Sequence, residues 1–119
     1  MSNYDSIIAN FQEVRKIYPS SKLANLILLE TADAYYRNRE FDKAIENYNE
    51  FTRINKEPLL NKIAEFGKGL CNIQLKKYAD AETILENVVA DKNSKILAGE
   101  ALLQLAIIKN RTNSDESGL

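Results

Sequence analysis

Cys71 is the only thiol in this 119-residue chain, and two pairs of glutamates are its best candidates for acid–base or metal chemistry. A thiol attacks as the thiolate, which a neighbouring base or cation must generate. The chain has no histidine, and Cys71 stands between Leu70 and Ile73 in an apolar helical stretch. It therefore reads as a buried structural cysteine. Glu46 and Glu50, and likewise Glu82 and Glu86, are four apart and share a helix face. Lysines and asparagines surround both pairs, so they read as solvated faces. Asp115-Glu116 is too isolated for calcium. Lys76-Lys77, Lys92 and Lys95 mark helix ends or breaks, where cations at a C-terminus meet a favourable dipole. No Gly-rich phosphate loop, nucleophile elbow or metal-ligand spacing occurs. The residues predict no catalytic group, no cofactor and no metal.

Charge narrows the partners. Lys plus Arg is 16 and Asp plus Glu is 17. Such near-neutrality argues against nucleic acid, which needs a basic surface to displace phosphate counterions. It argues equally against electrostatic membrane binding. Apolar residues at 45% and charged residues at 28% fit one ordinary globular domain. With one cysteine no intrachain disulfide can form. No apolar run approaches the roughly 18 residues that span a bilayer. The start, Met1-Ser2-Asn3-Tyr4-Asp5, lacks the basic and apolar regions of a signal peptide. As given, the chain reads as soluble. A periplasmic or membrane-anchored form is expected only if it is a piece of a longer protein.

The elements that position these residues are helices. Ile7, Ile8, Phe11, Val14 and Ile17 have helical spacing, which predicts a first helix ending at Pro19. Ser20 or Ser21 can cap a second, carrying Leu23, Leu26, Ile27, Leu28, Ala32, Tyr35 and Tyr36. Asn38-Arg39-Glu40 reads as a turn. A third helix carries Ala44, Ile45, Tyr48, Phe51 and Ile54, and Asn55 to Pro58 breaks it. The fourth carries Ile63, Phe66, Gly67, Leu70 and Ile73. The fifth carries Ala81, Ile84, Leu85, Val88 and Val89. Lys92-Asn93-Ser94 precedes a sixth, from Ile96 to Ile108. Residues 111–119 are polar and aperiodic, and predict a disordered tail. No segment alternates with period two.

Shifted by 37 residues, the sequence overlays itself. Tyr4, Phe41 and Tyr78 align, as do Ile7, Ala44 and Ala81. So do Phe11, Tyr48 and Leu85, then Val14, Phe51 and Val88. In the even-numbered helices Leu23, Leu60 and Leu97 correspond, as do Ala32, Gly69 and Ala106. One helical hairpin cannot bury both its apolar faces, so neighbours must stack.

These positions resemble the tetratricopeptide repeat (TPR). In that family an aromatic opens the second helix and a small residue three on lets the helices close up. Phe41 with Ala44 and Tyr78 with Ala81 match, Ala32 and Gly69 match the small position of the first helix, and Pro19 the closing proline. The resemblance covers about Tyr4 to Asn110. It implies an all-α, right-handed TPR-like solenoid of about six antiparallel helices. Residues 1–110 would form the domain: a half repeat about 4–19, repeats about 22–56 and 59–93, and a final unpaired helix about 95–110. The period departs from the family's 34. Arg39 and Lys76 replace the usual turn glycine. In the fourth helix Ile63, Phe66, Gly67 and Leu70 make a better apolar stripe than Glu65, Lys68 and Asn72, which predicts a rotated helix. Ile17-Tyr18-Pro19-Ser20-Ser21-Lys22-Leu23-Ala24 before Ala34-Tyr35-Tyr36 is similar to bacterial envelope TPR proteins: the outer-membrane assembly lipoprotein, the Tol–Pal-associated coordinator and the Sec translocon ancillary subunit.

The resemblance implies an interaction scaffold with a concave groove lined by first helices. The register places Leu29, Asp33, Tyr36 and Arg37 there, then Phe66, Leu70, Ile73 and Gln74, then Leu103, Ile107 and Arg111. The Lys and Asn clamp of the chaperone-tail binders is missing at these positions. The groove suits an apolar helix or extended segment of a protein partner. The sixth helix is apolar almost all round and wants cover. Three explanations stand: a fragment of a longer array, oligomerisation through Leu102, Leu105 and Ile108, or folding back on the groove.

Overall fold

The computed structural model describes residues 2–92 and 94–116. They form six helices and, among the described residues, no strand: α1 Asn3–Ile17, α2 Lys22–Arg37, α3 Phe41–Ile54, α4 Pro58–Gln74, α5 Tyr78–Val89 and α6 Lys95–Glu116. Local chemistry sets most of the boundaries. Ser2 and Asp5 close a reciprocal capping box at α1. Ser21 accepts the Ala24 N–H at the start of α2, and Ser94 accepts the Leu97 N–H at α6. Pro58 opens α4, where its missing N–H costs nothing.

Each helix packs on its sequence neighbours, so the chain is a stack of hairpins. Its extents are 52 × 37 × 19 Å, and the short dimension is two helix layers. In one layer α2 approaches α4 and α4 approaches α6, whereas α1, α3 and α5 do not approach one another. The stack therefore curves with the even-numbered helices on its inner side.

Two apolar clusters follow the repeat. The first joins Leu28, Leu29, Ala32, Ala44, Tyr48, Phe51, Ala64 and Cys71. The second joins Ile73, Ala81, Leu85, Val88, Ala101 and Ile108. Ala32, Ala44 and Ala81 are wholly buried, and a Cβ added at Gly69 would lie 2.7 Å from Leu85 Cδ2. These are the close helix crossings that the small residues permit.

Three expectations are corrected. α4 is not rotated out of register: Ala64 and Cys71 are buried, as their counterparts Ile27 and Ala34 are. Glu65 and Lys68 pair with each other at 3.6 Å, and the Asn72 amide donates to the Lys68 carbonyl. Polar residues are thus tolerated where the 37-residue repeat puts them, and Ile63, Phe66 and Leu70 are left for the inner face. The last helix does not end near residue 110 but continues to Glu116. Of the expected tail, residues 117–119 lie outside the described residues, as does Asn93 at the last break. Ile108, expected at an oligomer interface, is fully buried against α5.

Candidate functional site

The inner face of α2 and α4 encloses a hollow of about 340 Å³. Asp33, Tyr36 and Arg37 line it from α2, Tyr48 from α3, and Ile63, Phe66, Gly67 and Leu70 from α4. Five of these, Asp33, Tyr36, Arg37, Phe66 and Leu70, are residues that the repeat register assigned to a groove. Arg37 is exposed at its rim and Ile63 is 37% exposed. Phe66 and Leu70 are half-buried and also pack on the second core cluster.

The other expected groove residues lie elsewhere. Leu29 and Ile73 are buried in the cores. Leu103 is 54% exposed on α6, and Ile107 is half-buried there, outside the hollow. The end-helix candidates divide likewise: Leu102 is 54% exposed, Leu105 packs half-buried on the second cluster, and Ile108 is core.

Tyr48, Ile63 and Gly67 are the lining residues that sequence reasoning missed. Gly67 leaves room for the Tyr48 ring to reach α4, and the Tyr48 hydroxyl donates to the Asp33 carboxylate. Burial, then the Asp33 hydrogen bond, push the phenol well above the ordinary tyrosine range. The signal was available: Gly67 is a helix-interior glycine, which usually marks a close approach. The rim is therefore polar, with the Asp33 carboxylate engaged by Tyr48 and the Arg37 cation exposed, and the floor is aromatic and aliphatic. Such a surface can hold an apolar segment and orient it by one charged or hydrogen-bonding group.

The surroundings of the candidate nucleophile disfavour its thiolate. Burial, then Asp33, raise the Cys71 thiol to about 12. Cys71 is fully buried. Glu50 pairs with Arg53 rather than with Glu46. Among the described residues no helix is long and apolar enough to cross a membrane. A second hollow of about 340 Å³, lined in part by Lys22, Leu26, Ile54 and Lys56, opens between the N-termini of α2 and α4 and the C-terminus of α3.

The fold and the groove define a helical-repeat protein of the tetratricopeptide type. More narrowly, the chain belongs to the YfiO family, described as outer membrane lipoprotein, whose family model matches residues 1–102. That membership bears out the resemblance to bacterial envelope repeat proteins carried by Tyr18-Pro19-Ser20. No curated protein matches the chain.

Proposed function

We propose that the chain is a non-enzymatic scaffold in bacterial envelope assembly, and that it holds an apolar segment of a partner protein between α2 and α4. One observation carries this reading. Five residues assigned to the groove by register come together around one hollow with Tyr48 as its floor. Family membership supports the envelope setting. Phe66 and Leu70 supply apolar contact, and Arg37 and Asp33 supply polar contacts that fix direction.

A photo-reactive amino acid at Arg37 tests the proposal, with the same group at Asp80 on the exposed face of α5 as control. In bacterial envelope extract, Arg37 should give a discrete protein adduct that Leu70→Glu removes, and Asp80 should give none. Equal labelling from both positions would overturn the reading.

A second reading is self-association through the end helix. It is favoured by Leu102 and Leu103, each 54% exposed on α6. Sedimentation over a concentration series tests it, and a monomer at every concentration removes it.

A further inference from the structure

The groove hollow and the second hollow lie end to end along one valley between α2 and α4. On α2, Lys22 and Leu26 line the second hollow, and Asp33 and Arg37 line the groove hollow. Their spacing of i, i+4, i+11 and i+15 makes one stripe of a helix. On α4, Leu60 lines the second hollow, and Ile63, Gly67 and Leu70 line the groove hollow, again as one stripe. On α3 the floor passes from Tyr48 to Phe51, one turn on. Leu26 and Ile63, where the hollows meet, are 45% and 37% exposed. At about 1.5 Å per residue, the valley runs about 22 Å from Lys22 to Arg37.

The two ends differ in charge. At one, Arg37 is balanced by Asp33 one turn back. At the other, Lys22 and Lys56 stand against a single acid, Glu57. Among the described residues neither lysine pairs with a carboxylate. The N-termini of α2 and α4 open at this end too, and the Glu57 side chain does not cap α4, so two positive dipole ends add to the lysines. The carbonyl end of α3 also comes here, but the Asn61 amide occupies the Asn55 carbonyl at 2.9 Å.

We infer that the partner segment held in this valley is extended, about seven residues long, apolar, and acidic at the end beside Lys22 and Lys56. The inference deepens the scaffold reading and rests on it. Extension follows from the walls. α2 and α4 approach each other, so a helix about 10–12 Å across would ride above the hollows instead of filling them. An extended chain, at about 3.3 Å per residue, covers 22 Å in about seven residues and turns alternate side chains into the hollows. Charge complementarity sets the direction: an acidic group beside Lys22 and Lys56 is attracted, and a basic one is repelled. Residues 1–119 have no such segment to give. Their apolar runs lie in the packed helices, and Lys109 to Glu116 contains no apolar residue.

The probe is a dye-labelled peptide of about seven alternating leucines and threonines with a glutamate pair at one end, both termini blocked. It should bind the chain saturably. The same peptide with lysines for the glutamates should bind about tenfold more weakly, and the difference should shrink as salt rises. In the double variant Lys22→Glu, Lys56→Glu the order should invert. Both lysines are exposed, so this variant should unfold at the wild-type temperature. Glu57→Gln should tighten the glutamate peptide about twofold or more. A photo-reactive group at Arg37 should attach to the apolar end of the peptide, and one at Asn25 to the acidic end, as mass spectrometry of the adducts reads out. Equal binding of the two peptides, or an order that survives the double variant, overturns the inference. So does attachment without preference for either end. So does refusal of both peptides, the result if a second copy or the protein's own further chain fills the valley. Partner adducts from Arg37 in envelope extract, with peptides indifferent to charge, sink this inference alone. Charge-ordered peptide binding with no partner adduct sinks the envelope scaffold reading and leaves the valley's preference standing.

Discussion

The Tyr48 ring of α3 lies against the backbone of Gly67 on α4, so close that a Cβ there would fall 2.5 Å from Cζ and 2.8 Å from the hydroxyl oxygen. That approach lets the Tyr48 hydroxyl reach Asp33 on α2. One side chain thereby ties three helices together and forms the floor of the groove. The groove's shape depends on a residue with no side chain.

Two glycine substitutions should therefore have opposite signs. In an open helix, Gly→Ala gains about 0.5–1 kcal/mol. Gly99 on α6 has nothing within 4 Å of an added Cβ, so Gly99→Ala should show that gain. At Gly67 the neighbour cannot give way, because Tyr48 is 2% exposed and its hydroxyl is held by Asp33. Gly67→Ala should destabilise by about 1–3 kcal/mol, the usual cost of overpacking. Thermal unfolding of the two variants beside the wild type measures both, and a more stable Gly67→Ala would show that Tyr48 moves freely.

Turn glycines should help where the chain lacks them. Arg39 and Lys76 have φ of 63° and 61°. Each is the left-handed residue of a paired C-terminal cap: Glu40 N–H to Tyr35 carbonyl and Arg39 N–H to Tyr36 carbonyl in one, Lys77 N–H to Asn72 carbonyl and Lys76 N–H to Ile73 carbonyl in the other. A residue with a Cβ pays about 1–2 kcal/mol for that conformation. Lys76→Gly should recover roughly 1 kcal/mol of it. Arg39→Gly should recover less, because the Arg39 guanidinium lies 5.4 Å from the Phe41 ring centre and would be lost. Chemical denaturation midpoints rank the two, and an equal or larger gain at Arg39 would show that the ring contact contributes nothing.

The repeat was legible because sterics at the crossings force small residues to recur: Ala32 and Gly69, Ala44 and Ala81. The inner face was legible for the same reason, since register alone brought Asp33 and Tyr36 together with Phe66 and Leu70. The fourth helix misled because Glu65, Lys68 and Asn72 look unfit for their positions. Their polarity is satisfied locally, by an ion pair and a carbonyl one turn back, and periodicity cannot register that. The end of α6 misled because Arg111 to Glu116 carries no apolar period, yet backbone hydrogen bonding continues the helix. Tyr48 as groove floor depended on a contact between α3 and α4, which neither helix announces by itself.

Cys71 should be nearly inert in the folded chain. Its thiol is raised from 9.0 to about 12 and is fully buried. Three pH units remove roughly a thousandfold of the thiolate available to a reagent. Labelling with an aromatic disulfide at pH 8 should be at least about a hundredfold slower in native than in denatured protein. Fast stoichiometric labelling of the native chain would mean that the first core opens readily around Cys71.

Tyr48 should make the fold sensitive to alkali. Its folded-state pKa is raised above the ordinary value of 10.0, first by burial and then by Asp33. In the unfolded chain the phenol ionises near that ordinary value, while in the folded chain it keeps its proton. The stabilisation is therefore whole below about pH 10 and drains away as pH rises beyond it, by at most about 1.4 kcal/mol per pH unit from this one group. The difference between wild type and Tyr48→Phe is the informative quantity, because it isolates this one hydroxyl. At pH 7 the variant should be less stable by about 0.5–1.5 kcal/mol, the net worth of a hydrogen bond, since Asp33 is partly open to water. Between pH 10 and 11.5 that deficit should shrink and then reverse, because phenylalanine has no proton to lose. Denaturant titrations at a series of pH values give the comparison directly, and parallel curves for the two proteins would place the Tyr48 hydroxyl in water rather than against Asp33.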